Sequence, residues 1–455
     1  MTQIVARVLD SPPRLTQETA DRVVDDLGER HANAVDLILA NARAVGSRVR
    51  DSVVLTESQA LVLGAAFTAE YAVEGAALCN PSAVVHPSQE GLAPGQLRVA
   101  IALRCIGEGH ISSIGFAEAV IGPDDTWAFL PRAAPITGPV ISGGEWSRHH
   151  FGRALEHEGH LSDLANAVVR NLPERFSGAE LELALLRLPD ELSTRPDSRE
   201  PTQALRNMAA SAYRADFPPS VPLSARVLLP VAAEEDHGVE DARFVRFTDA
   251  DGTIGYRATY TAYDGRDIAP RLVTSPDLTS FAVHRLTGTG AHNKGMALFP
   301  RLVGGNHLAL SRADGENISL ARSVDGVIWD DLGIVHRPTE LWELVQLGNC
   351  GSPIETDAGW VVLTHGVGPL RTYSLGALLL DLNDPSQVIG RSTAPLLEPT
   401  GDRQAGYVPR VVYSCGAIVH RGIMWIPVGV GDDRIQVFSV SLDELIASMV
   451  PRSSN

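Results

Sequence analysis

Residues 422–433 read GIMWIPVGVGDD: a glycine turn, a short apolar strand and an acidic end. The same pattern recurs at Leu97–Gly109 (LRVAIALRCIGEG), Ile254–Gly265 (IGYRATYTAYDG), Gly305–Gly315 (GNHLALSRADG) and Ala358–Gly368 (AGWVVLTHGVG). The last four copies start roughly 50 to 65 residues apart, room for one four-stranded antiparallel sheet each. Short-strand repeats of that length read as propeller blades, so the chain is expected to be an all-β five-bladed β-propeller. The competing arrangement is five unrelated hairpins in a β-sandwich. Radial repetition brings equivalent strand ends to one central cavity. Arg104, Tyr263, Arg312, His365 and Asp432 stand at those ends and are predicted to converge there.

Helical pattern flanks and interrupts the repeats. Residues 14–48 carry Val23, Val24, Leu27, Ile38 and Leu39 at three- and four-residue spacing. A second helical block spans about 145–215, with a Ser177-x-x-Glu180 capping box and Pro201 near a first turn. Pro218, Pro219 and Pro222 then return the chain to strands. The expected organisation is a helical N-terminal arm over 1–60, first blade material over 61–145, a helical insertion over 146–222, and the remaining blades with C-terminal closure over 223–455. The arm and the insertion are the surfaces expected to make any homo-oligomer contact.

The 455 residues carry a formal charge of −17, which disfavours a nucleic-acid partner because that needs a basic stripe. No apolar run is long enough to span a bilayer, and the N-terminus lacks a basic region followed by an apolar core, so a cytoplasmic protein is expected. Cys79, Cys105, Cys350 and Cys415 lie in or beside apolar strands without CxxC spacing, so neither a metal site nor a disulfide framework is expected. His150, His157 and His160 share a helix face, but with no cysteine nearby a solvated face is the expected reading. No glycine-rich nucleotide motif occurs.

Two local clusters bear chemistry. The first is His237–Arg243 (HGVEDAR), preceded by Glu234, Glu235 and Asp236. Carboxylates crowded at a strand entrance raise one another's pKa if they share a dry pocket, and Arg243 would keep one ionised. A solvated acidic turn is the plainer alternative. The second is Lys294–Pro300 (KGMALFP) with Arg312 on the next strand, two cations suited to a small anion.

Together the motifs resemble glycoside hydrolase family 130, which contains β-mannoside phosphorylases and β-mannosidases built on a five-bladed propeller. The resemblance runs over about 61–446. It rests on Asn80-Pro81, Arg104, Ser112-Ser113, GVEDAR (238–243), KGMALFP (294–300), LSR (310–312), GNCGSPIETDAGWVVLTHGVG (348–368), YSLGALLLDLNDPSQVIGR (373–391), YVPRVVYSCG (407–416) and GDDRI (431–435). It implies an inverting β-mannoside-active enzyme with Asp241 as general acid, its proton relayed through the sugar 3-hydroxyl. Asn80, Arg104 and Asp432 would hold the mannosyl unit, with Tyr263, Glu240 and Arg243 beside them. Lys294, Arg312, His365 and Tyr373 would hold inorganic phosphate, the co-substrate of a phosphorylase; no other cofactor and no metal is implied. Gln346 replaces a Lys common in the phosphorylases, and Arg410 an Asn common in the family. A hydrolase would instead need a base, for which Glu343, Glu355 and Glu316 are the candidates. A non-catalytic carbohydrate-binding propeller would have no use for Asp241.

Overall fold

A computed structural model describes residues 2–28, 31, 33–46, 54–194 and 197–451. The chain is mostly β-sheet. Five antiparallel sheets follow one another, each opening on a strand near the candidate residues. The first sheet runs Ala77–Val85, Leu97–Ile106, Ser112–Ile121 and Trp127–Phe129, with Val227–Leu228 added to its third strand. The second runs Val239–Thr248, Ile254–Tyr263, Ile268–Ser275 and Ser280–Arg285. The third runs Ala297–Leu298, His307–Ser311, Ile318–Ser323 and Asp330–His336. In the fourth, Gln346–Asn349 precedes Gly359–Val367, Tyr373–Leu380 and Val388–Arg391; in the fifth, Val412–Tyr413 pairs with Ile423–Val430, which also pairs with Arg434–Ser441.

Apolar faces between successive sheets form the core. One cluster joins Ala100 and Phe116 of the first sheet to Phe244 and Tyr260 of the second. Val245 and Leu272 of the second meet Leu298 and Ala309 of the third, and Leu310 of the third meets Trp360 and Leu378 of the fourth. Leu363 and Leu375 of the fourth pack on Val412 and Ile426 of the fifth, and Trp425 of the fifth packs on Ile101 and Ile121 of the first. A sheet covered on both faces cannot use polar–apolar alternation. Gly359–Val367 (GWVVLTHGV) is accordingly buried at every position, and its sequence is a nearly continuous apolar run.

The helices lie outside these sheets. Pro13–Gly28 and Ala34–Gly46 occupy most of the expected 14–48 helical stretch, whose positions 29, 30, 32, 47 and 48 lie outside the described residues. They pack with Glu57–Ala65 around Ala20, Ile38 and Leu61. The insertion holds Arg148–His157, Asp163–Asn171, Gly178–Leu186 and Arg199–Ala210 around their own core of Phe151, Leu155, Phe176 and Leu205. The Ser177–Glu180 capping box forms, the Ser177 backbone N–H donating to Glu180 Oε2 at 2.6 Å. Three short parts of the expected helical block are strands: Glu145–Ser147 pairs with Arg175–Ser177 as a two-stranded sheet, and Tyr213–Asp216 pairs with Ser280–Arg285 on one side and Val140–Gly143 on the other. Ladder pairing with the second sheet overrides the local helical pattern there. Among the described residues no helix is long and apolar enough to cross a membrane.

Candidate active site

The site begins with two matching irregularities. In the first strand of the first sheet, register breaks between Cys79 and Ser82; in the first strand of the second, it breaks between Glu240 and Arg243. Each break holds a residue in the left-handed region, Asn80 at φ 51° and Asp241 at φ 57°. Asn and Asp tolerate that conformation better than other non-glycine residues. A bulge re-aims a side chain out of the ladder. Here both are re-aimed at each other, and Asn80 Nδ2 donates to Asp241 Oδ1.

Charged groups surround this contact. Arg104 Nη2 donates to Glu240 Oε1 at 2.6 Å, and Arg104 Nη1 lies 3.4 Å from Asp241 Oδ1. Lys294 Nζ reaches Glu240 Oε2 at 3.1 Å, so Glu240 bridges two cations. Arg243, fully buried, does not pair with the Asp241 carboxylate. Its guanidinium donates to the backbone carbonyls of Asp241 (3.0 Å) and Cys350 (2.9 Å) and to the Tyr413 hydroxyl (2.9 Å). It thereby ties the second, fourth and fifth sheets together.

The two aspartates are pushed apart in acidity. Burial by itself raises the Asp241 carboxyl, but the Arg104, Arg243 and Lys294 charges and the Asn80 hydrogen bond outweigh it and hold the group below its ordinary value. Asp432 goes the other way: burial, reinforced by the Asp241 charge, lifts it to about 6 against the pull of Arg104. Near neutrality Asp241 is therefore ionised, and Asp432, with its midpoint at about 6, still carries a proton in a minority of molecules.

A second group adjoins the first. Arg312 Nη1 lies 3.4 Å from His365 Nε2, and Arg312 Nη2 donates to the Gly315 carbonyl at 2.7 Å. Burial, with the Arg312 and Arg243 charges, keeps His365 well below the ordinary imidazole value and therefore neutral. Its ring stacks with Tyr373 at 6.3 Å and approaches Tyr413 at 4.7 Å. Gly348 makes this possible, because a Cβ there would stand 2.4 Å from His365 Cε1 and 2.7 Å from Arg312 Cδ. Arg104 Nε and Arg312 Nε are buried without a hydrogen-bond partner among the described residues, so both groups keep donor capacity.

Other expected residues stand apart from these contacts. The Tyr263 hydroxyl donates to the Gly265 carbonyl of its own turn. Glu343 accepts the Thr339 and Glu340 backbone N–H groups at 2.8 and 3.1 Å, a capping role. Glu355 pairs with Arg301, and Glu316 is exposed on the Asp314 turn. Of the insertion histidines, His150 pairs with Asp325 at 2.9 Å and His157 faces His292 at 4.8 Å; among the described residues no group of three metal-binding side chains forms. Tyr413 and Gly348 were not singled out by sequence, because a tyrosine in VVYSC and a glycine beside a strand carry no local signal. A cavity of 1070 Å³ lies elsewhere, between the arm and the first sheet. It is lined by Leu27, Leu37 and Tyr71, with His31–Glu70 and Arg132–Glu74 pairs among its charged residues. Volume there comes without convergent reactive groups, so the chemistry locates the site.

A family described as beta-1,4-mannooligosaccharide phosphorylase matches residues 222–450. A 1,2-beta-oligomannan phosphorylase of Thermoanaerobacter sp. is 34% identical over 217 residues, 47% of this chain and 71% of that protein. A beta-1,2-mannobiose phosphorylase of the same organism is 34% identical over 223 residues, 48% of this chain and 72% of that protein. The solved structure of a glycosyl hydrolase from Bacteroides ovatus is similar in fold, with TM-score 0.50 and 17% identity over 83% of this chain and 87% of that one. With its matched half holding Asp241, Arg312, His365 and Asp432, the chain belongs to glycoside hydrolase family 130.

Proposed function

We propose that the protein is an inverting phosphorylase of β-mannosides, transferring a mannosyl unit to inorganic phosphate. The observation that carries this reading is the Asn80–Asp241–Arg104 contact, with Asp432 coupled to it and the Arg312–His365 pair alongside. In the reaction the glycosidic oxygen leaves C1 with its electron pair and takes a proton. A phosphate oxygen bonds to C1 from the opposite face, yielding α-mannose 1-phosphate and the shortened acceptor. Asp241 supplies the proton. It is ionised in the free site because cations surround it. A phosphate dianion beside Lys294 and Arg312 would offset those charges, and a sugar would exclude water, so burial would then favour the protonated form.

Asn80, Arg104 and Asp432 are assigned to the sugar hydroxyls, with Glu240, Arg243 and Tyr263 supporting or bordering that subsite. Lys294, Arg312, neutral His365 and Tyr373 are assigned to phosphate. Commitment of Glu343 to capping and of Glu355 to Arg301 disfavours water activation by either. The five sheets, with apolar contacts running from each to the next and from fifth to first, are read as blades of one propeller. The domain plan is an arm over 1–60, first blade material over 61–145, an insertion over 146–222 and the remaining blades over 223–455. Four buried free cysteines suit a cytoplasmic setting. Exposed Leu15 and Leu37 on the arm and Leu183 and Leu186 on the insertion suit contact with a second copy, which sedimentation at rising concentration would reveal or refute.

The deciding assay offers β-1,2- and β-1,4-mannobiose with and without phosphate and follows mannose 1-phosphate against free mannose. Phosphate-dependent mannose 1-phosphate is the expected product. Phosphate-independent release of mannose would make the enzyme a hydrolase.

A further inference from the structure

In four of the five sheets, a left-handed residue stands two places before a paired residue of the leading strand. These are Asn80 before Ser82, Asp241 before Arg243, Gly295 before Ala297 and Arg410 before Val412, with φ of 51°, 57°, 93° and 64°. The first three converge. Asn80 and Asp241 hydrogen-bond, and a Cβ at Gly295 would point 3.2 Å from Arg312 Cδ and 3.9 Å from Arg243 Nη2. The fourth is an arginine, a residue with no local means of easing left-handed backbone.

Its neighbours are residues of the same site. The Arg410 carbonyl accepts the Tyr373 N–H at 2.9 Å, and Tyr373 stacks on His365, which contacts Arg312. The next carbonyl, of Val411, accepts the Gly431 N–H at 2.9 Å, immediately before Asp432. Arg410 is part-exposed, and among the described residues no carboxylate lies within 4.0 Å of its guanidinium.

We propose that Arg410 binds the oxygens of the phosphate co-substrate, completing with Arg312 and Lys294 a three-cation anion site. This rests on the phosphorolytic reading and adds a residue to it. A guanidinium fork suits a phosphate face. The shared ligand chemistry is a phosphate group, free or esterified to the sugar, and the proposal commits to the free anion.

The test compares the full chain with Arg410→Asn and Arg410→Lys. Asn suits the left-handed backbone, so Arg410→Asn is expected to fold with an unchanged unfolding midpoint. Losing a charge-assisted hydrogen-bonded pair should raise the phosphate KM roughly tenfold to a hundredfold, with mannobiose KM moving less than about threefold. Arg410→Lys should fall between, keeping charge but not the fork. Calorimetric titration with inorganic phosphate should show the same loss of affinity. Unchanged phosphate KM and affinity in Arg410→Asn would overturn the proposal. So would an effect confined to mannobiose KM, or to binding of mannose 6-phosphate. If the wild type releases mannose without phosphate, phosphorolysis fails as a reading, yet the titration still decides Arg410: weaker phosphate binding by the variant supports the anion site, and equal binding removes it.

Discussion

At the scale of the residue, the site is governed by two aspartates driven in opposite directions. Asp241→Asn keeps shape and the Asn80 contact but cannot give a proton. Phosphorolysis should fall by about two to four orders of magnitude while mannoside binding survives, checked by turnover and by calorimetry. Near-normal turnover would remove Asp241 as the acid. Asp432 carries a different signature. Its folded pKa is about 6, above the ordinary 3.8, so the native state holds the proton longer than the unfolded chain. Stability therefore falls as pH rises through that window. Asp432→Asn stays neutral, so it should be more stable than wild type by up to roughly 3 kcal/mol at pH 7.5, with the gap closing near pH 4. Thermal unfolding at the two pH values measures this, and a gap that does not depend on pH would contradict it.

At the scale of the element, bulges and close glycines place these side chains. The residue types were legible, since an Asp in GVEDAR and an Asn before Pro81 stand out in the sequence. The left-handed backbone that turns them toward each other was not, because it arises from register breaks against Leu97–Ile106 and Ile254–Tyr263. Gly348 belongs to the same class. Gly348→Ala would press a methyl into His365 and Arg312, so the phosphate KM should rise severalfold with about 1–3 kcal/mol of stability lost to overpacking. Initial rates across phosphate concentrations, alongside urea unfolding, would separate the two. If phosphate KM is unaffected, the Arg312–His365 pair does not serve the anion.

At the scale of the whole molecule, the argument concerns how the sheets hold one another. The fifth and first sheets meet where Trp425 lies 5.8 Å from Trp127 and packs on Ile101 and Ile121. Trp425→Ala, well away from the charged groups, should cost about 3–5 kcal/mol. If the five sheets are cooperative blades, unfolding should remain a single transition at a lower midpoint, with ligand-saturated activity per folded molecule preserved. An unchanged midpoint would mean that this junction does not close the structure.

The sequence by itself determined the periodic short strands, the outlying helices and the reactive residue types, because turn chemistry, apolar runs and capping boxes are local properties. Only the tertiary structure decided which of those residues meet. It joined Asn80 to Asp241 across two sheets, gave Lys294 to Glu240, bound the Tyr263 hydroxyl to its own turn and drew Tyr213–Asp216 out of a helical stretch into a ladder. The physical reason is that pairing register, left-handed backbone and the balance of burial against charge depend on partners far apart in the chain. No local pattern records them.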